Sequence, residues 1–147
     1  MKFVLFTTNL LMSAVLSRFA ISKLAGWEIS VNAFIEMAQP LGINPTFFRL
    51  FTGFVILSIV IAYLSTAIYS LFESKIGSEV KINFKKFANY SNLMGLLTMI
   101  GALLAELFLR VQPKWPLVYI AIAVIILSII NMIILKTSTK YNVQCSK

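Results

Sequence analysis

The sequence predicts an all-α fold: a four-transmembrane-helix bundle with a short amphipathic interfacial helix between helices 1 and 2. Three observations predict it. Hydrophobic residues make up 59% of the 147 residues and charged residues 12%, with a mean hydropathy of +0.89. Soluble domains hold about 45–50% apolar and about 25% charged residues, so a chain this apolar cannot clothe a soluble surface. It has ample apolar surface to bury, which also excludes intrinsic disorder. The apolar residues fall into four long runs, and a bilayer core of roughly 30 Å takes about 20 helical residues to cross. Between the first two runs lies a segment with helical rather than continuous apolar spacing. The length allows one compact unit, a single integral membrane domain over 1–147.

The first span covers about 3–22. Thr7, Thr8, Asn9 and Ser13 interrupt it and Arg18 lies near its end. Lys2 and the apolar run resemble a signal peptide, but Arg18 stands two residues before Ala20, where a small residue is wanted for cleavage. The run is therefore read as a retained helix. Within it Asn9, Ser13 and Ser17 recur every four residues, a packing seam.

The segment that follows reads as an interfacial helix over about 27–39. Trp27, Val31, Phe34, Ile35 and Ala38 recur at helical spacing, while Glu28, Asn32, Glu36 and Gln39 fall largely opposite. Pro40 and Gly42 end it. It is too short to cross, so it lies in the interface or caps the mouth of the bundle. It reads as a lid, with a gate or docking surface as the other reading.

The second span, about 48–72, has Arg49 at its start and no charge from Leu50 to Phe72. A mixed-charge connection, Glu73 to Lys86, follows and reads as solvated. The third span, about 87–109, carries Glu106 as its one ionisable group. Ser91, Gly95, Thr98, Ala102 and Ala105 lie roughly on one face of it, a stripe that lets membrane helices pack closely. The fourth span, about 116–135, is uncharged. Asn131, with Ser128 one turn earlier, suits an interhelical hydrogen bond.

Loop charge gives the direction. With the N-terminus inside, eight Lys fall on the inner side and five basic residues on the outer side, so the positive-inside rule places both termini in the cytoplasm of a multi-pass cell-membrane protein, as in a bacterial inner membrane. Trp27, Trp115 and Tyr119 then form the outer aromatic belt, and Tyr69, Phe72, Phe84, Phe87 and Tyr90 the inner one. The net charge of +8 reads as orientation and contact with anionic lipid heads. Nucleic acid is not expected as a partner, because no basic stretch with interleaved stacking aromatics forms a free domain.

The catalytic inventory is thin. There is no His and no Asp, and one Cys, Cys145, close to the end, where it reads as a free thiol. No metal-ligand spacing, phosphate loop or nucleophile elbow occurs, so no catalytic residue and no metal site is expected. The informative group is Glu106, because an ionisable side chain within a span is costly and usually faces the bundle interior or water. Arg110 follows it by four residues, the favourable order for a helical pair. The topology brings Arg18, Lys23 and Arg49 to the same side of the membrane. Two readings of these five residues stay open: an ion network that fixes helix ends by snorkelling, and a site for a polar head such as a quinone ring or a lipid head.

The residues resemble the DoxX-like family of small four-helix integral membrane proteins. The likeness begins in Ser17-Arg18-Phe19-Ala20-Ile21-Ser22-Lys23-Leu24-Ala25-Gly26-Trp27, continues in the Gly42-Ile43-Asn44-Pro45 turn, Arg49 and Thr52-Gly53, and returns in Gly101-Ala102 before Glu106. Two departures stand out. Phe54-Val55-Ile56-Leu57 occupies the region where many members carry a Glu, and Glu106 stands where a His is frequent. The resemblance implies an accessory membrane subunit that binds a quinone or lipid, a redox partner, or both. A structural scaffold of an envelope complex, and after it a small transporter, are the alternatives. Membrane lipid is the expected environment, and an oligomer is compatible with the sequence.

Overall fold

A computed structural model describes residues 2–72, 78–110 and 114–144, with side chains over 3–72, 83–110 and 114–137. Five helices follow one another: α1 (Lys2–Leu24), α2 (Glu28–Ala38), α3 (Pro45–Phe72), α4 (Ser78–Phe108) and α5 (Trp115–Gln144). No strand occurs among the described residues. Four of the helices are long and apolar enough to cross a bilayer, over Phe3–Leu24, Pro45–Phe72, Asn83–Phe108 and Trp115–Thr137. This is a small multi-pass integral membrane protein. Its large exposed side chains are those that face lipid: Phe47, Phe51 and Phe54 project from α3, and Ile126, Ile129 and Ile133 from α5.

Two helices run past their expected limits. α4 begins at Ser78 rather than near 87, so most of the segment read as a solvated connection, from Ser78 on, is helical backbone, and α5 continues to Gln144 rather than ending near 135. Apolar length measures the part of a helix inside the bilayer, whereas propagation costs little once a helix is nucleated, and Lys, Glu and Gln are good helix formers. Glu73, Lys75 and Cys145 lie outside the described residues, as do the side chains of Glu79 and Lys81.

α1 packs chiefly on α3 and α4 on α5, with α3 against α4 joining the two pairs and α2 lying across α3. Four crossings bring the start of α1 and the finish of α5 to one end, here called the terminal end; α2 marks the other, the capped end. The chain turns through α2 by two glycines. Gly26 has φ +70° and Gly42 φ +63°. After each, the next amide reaches back to a carbonyl five residues earlier: Trp27 to Ser22 at 3.1 Å and Ile43 to Ala38 at 3.4 Å. This is the Schellman way of ending a helix on a left-handed glycine. α3 then starts on a cap, with Asn44 Oδ1 accepting from the amides of Thr46 (2.9 Å) and Phe47 (3.3 Å), and Pro45 in the first helical position.

The buried face of α2 is Ser30, Ala33, Phe34, Met37 and Ala38. The expected face is corrected in register: Trp27 and Ile35 are exposed and only Phe34 and Ala38 are shared. Membrane explains the difference, since apolar side chains on such a helix face lipid as readily as the bundle, so apolarity alone does not mark the inward side. Phe84 is likewise buried with Leu5, Ala88 and Leu135 rather than placed in an interfacial belt. Trp27, Trp115, Tyr119, Tyr69, Phe72, Phe87 and Tyr90 are exposed, as belt residues should be.

Mid-bundle, Met12, Leu16, Ala20, Ile56, Ile59, Val60, Tyr63, Met99 and Val124 form an apolar layer. Tyr63 is fully buried, with its hydroxyl 2.9 Å from Ser128 Oγ. It lies so close to α4 that its hydroxyl occupies the space a Cβ on residue 95 would take, which only Gly95 permits. Toward the terminal end the interior turns polar but uncharged. Thr8 Oγ1 donates to Asn131 Oδ1 (2.8 Å), Asn131 Nδ2 to Asn92 Oδ1 (3.1 Å), and Asn92 Nδ2 to the Ala88 carbonyl (2.8 Å). The interhelical bond expected of Asn131 is thus one link of a chain joining α1, α5 and α4.

Asn131→Leu removes two of these interhelical bonds and leaves Asn92 Oδ1 without its donor. Such bonds average about 0.6 kcal/mol in membranes, so a loss of about 1–2 kcal/mol is expected, read as a lower midpoint of denaturant unfolding in mild detergent. An unchanged midpoint would show the chain to be energetically idle.

Candidate ligand cavity at the capped end

Between the two helix pairs, under α2, lies a cavity of about 400 Å³. This falls within the size range of small-molecule sites, about 300–1,000 Å³. Its walls are mostly apolar, with Phe19, Phe34 and Met99 among them, and Lys23, Glu106 and Arg110 are its charged residues. The small residues of α4 that read as a packing stripe divide here. Gly95 packs against Tyr63, whereas Thr98, Ala102 and Ala105 line the cavity, with Gly101 beside them. A Cβ on Gly101 would meet nothing within 4 Å. At this end the small side chains make room.

Glu106 is buried and engaged through one carboxylate oxygen. Its Oε1 accepts from Arg110 Nη1 at 2.7 Å and from the Lys114 amide at 2.8 Å. It therefore pairs along its own helix and also holds the amide just before α5, where the first N–H groups of a helix lack intrahelical partners and favour negative charge. Arg110, with 5% of its side chain exposed, also lies 3.4 Å, Nε to Oε2, from Glu36. That pair ties α2 to the end of α4. Glu36 was not among the residues the sequence singled out for the site. Its signal was its place on the polar side of α2, which gave no direction toward Arg110.

The five expected residues separate into three groups. Lys23, Glu106 and Arg110 share the cavity. Arg49 stands beside it, donating from its guanidinium to the Lys23 carbonyl and lying against Gly26. It satisfies one of the carbonyls that the end of α1 leaves open. Arg18 is exposed and is not a lining residue. Lys23 differs from the others. Its Nζ sits 4.9 Å from the centroid of the Phe34 ring, a cation–π contact. Among the described residues no carboxylate lies within ion-pair distance of it. Ser30, also in the wall, has a buried hydroxyl without a hydrogen-bond partner.

Among the described residues no group of three or more His, Cys, Asp or Glu is placed to hold a metal ion. Comparison with protein families, curated proteins and solved structures returns no match.

Proposed function

We propose that this chain is an accessory membrane subunit of DoxX-like type whose cavity at the capped end holds an amphipathic ligand, a quinone or a lipid, in company with a membrane redox partner. The cavity carries this reading: an apolar chamber of about 400 Å³ with Lys23, Glu106 and Arg110 at its polar end. An apolar tail would lie among Phe19, Phe34 and Met99, and the Arg110 and Lys23 donors suit the carbonyl oxygens of a quinone or the oxygens of a lipid head. The apolar layer containing Met12, Ile59, Tyr63 and Val124 lies between this chamber and the uncharged polar interior beyond it, which favours a holding site over a conduit. The loop charges favour both termini in the cytoplasm, so the capped end would face outward, in a bacterial inner membrane.

The test is purification in mild detergent at native expression, followed by mass spectrometry of retained proteins and small lipids. A stoichiometric quinone or lipid with a redox protein supports the reading. In Glu106→Gln, Arg110 keeps an acceptor but loses the buried negative charge that orients it. Ligand retention is expected to fall several-fold while the protein stays folded by circular dichroism. Undiminished retention in the folded variant would remove Glu106 from the site, and bulk lipid with no partner would remove the accessory role.

A further inference from the structure

We infer that the ligand of the capped-end cavity is a monoanionic amphipath, with its acidic head held by the Lys23 ammonium and its alkyl chain in the apolar chamber. The inference rests on the cavity reading above and narrows it from polar heads in general to a single negative charge. The charges around the chamber make the case. Three cations, Lys23, Arg49 and Arg110, stand against two carboxylates, Glu36 and Glu106, in one connected cluster. Arg110 is hydrogen-bonded to Glu106 and in ionic contact with Glu36, its Nε making no hydrogen bond, and Arg49 donates to the end of α1. Among the described residues of this cluster, Lys23 has one aromatic face and no carboxylate within ion-pair distance, the charge of Glu106 acting on it only from farther away.

An ammonium in a mostly apolar cavity at the end of a membrane span, without a paired carboxylate, is costly. A cation–π contact offsets only part of that cost, about 0.5–2 kcal/mol. One negative charge brought in by a ligand completes the neutrality of the cluster. A neutral quinone would leave it incomplete.

Ser30 is the second, independent observation. Its hydroxyl is buried in the cavity wall with no hydrogen-bond partner, whereas buried polar groups are nearly always paired. An anionic head in the cavity offers an acceptor for this O–H donor, since Ser30 and Lys23 line the same chamber. Charge-assisted bonds of this sort are roughly twice as strong as neutral ones.

The experiment measures binding of hexadecyl phosphate and of hexadecan-1-ol to the full chain in a neutral detergent at pH 5, where a phosphate monoester keeps its second proton and carries one negative charge, by native mass spectrometry with titration. The two probes share a chain and differ in the charged head. Hexadecyl phosphate is expected to bind at least about tenfold more tightly, as a charge-assisted bond allows. Lys23→Met should remove most of that preference, Lys23→Arg should keep most of it, and Arg18→Gln should leave it unaltered. Inorganic phosphate, which has a head and no chain, should not compete.

Equal affinity of the two wild-type probes would overturn the anionic assignment while leaving the cavity as a ligand site. Binding of neither would remove the cavity reading as well. Effective competition by inorganic phosphate would show a free-anion site in place of an amphipath site. The wild-type comparison requires no variant, so an unfolded Lys23→Met would not spare the inference.

Discussion

Gly95→Ala is expected to break the bundle, although Ala is the better helix former. The helical preference alone would add about 0.8–1.0 kcal/mol of stability. The new Cβ, however, would fall where the Tyr63 hydroxyl lies, with the ring Cζ only 2.5 Å away. Tyr63 is fully buried and its hydroxyl is fixed on Ser128, so neither the ring nor the hydroxyl can yield cheaply. Overpacking of this kind costs about 1–3 kcal/mol and occasionally more, and here the backbones of α3 and α4 must separate. The expected result is a large drop in the thermal midpoint in mild detergent, with loss of the monodisperse peak on size exclusion. Tyr63→Leu alone should cost a cavity and a hydrogen bond, yet the double variant should be no worse than Tyr63→Leu. A higher midpoint for Gly95→Ala would mean that α3 and α4 do not approach as described.

Glu106→Leu is the second large effect. It removes the carboxylate that faces both Arg110 Nη1 and the Lys114 amide. Arg110 would keep only Glu36, 3.4 Å from its Nε and itself 44% exposed in its side chain. Removing one partner of a buried pair costs about 3–5 kcal/mol, mostly because the other charge stays buried. Glu106→Gln should cost far less, since an amide oxygen can accept from both donors. The double variant Glu106→Leu/Arg110→Leu should recover much of the loss, because the stranded charge goes with it. Urea unfolding of the four proteins checks this. Equal stability of the Leu and Gln variants would show that Arg110 reaches water in the folded state.

What the sequence made legible was whatever depends on continuous apolarity. The four crossings follow from run length alone, and the α2 stop at Pro40 and Gly42 from the chemistry of those two residues. The turn into α3 is legible as well, since Asn44 before Pro45 is a cap before a first-turn proline. Three things were beyond reach. The inward face of α2 was read with the rule for soluble helices, and Trp27 and Ile35 show how lipid inverts it. The closeness of Tyr63 to Gly95 is a contact between spans, and small residues at regular spacing fit both a packed seam and a cavity wall. Arg18 and Arg49 shared a membrane side with Glu106, but side-of-membrane is one coordinate of three: Arg49 turns to a helix end and Arg18 to the exterior, while Glu36 arrives from an element read as a lid.

The pairing of Glu36 with Arg110 also has a consequence in time. α2 leaves the ribosome early, and its ionic partner is synthesised only at the end of α4. At ~5–20 residues per second, several seconds of translation separate the two. Until α4 is in place the cap has nothing to fasten its acidic edge. A nascent chain ending before Arg110 would carry α2 tethered by its two glycines and its apolar face, open to proteases on that side of the membrane. The acidic edge of the cap is therefore the last part of this corner to be fastened, after α1, α2, α3 and α4 have all been made.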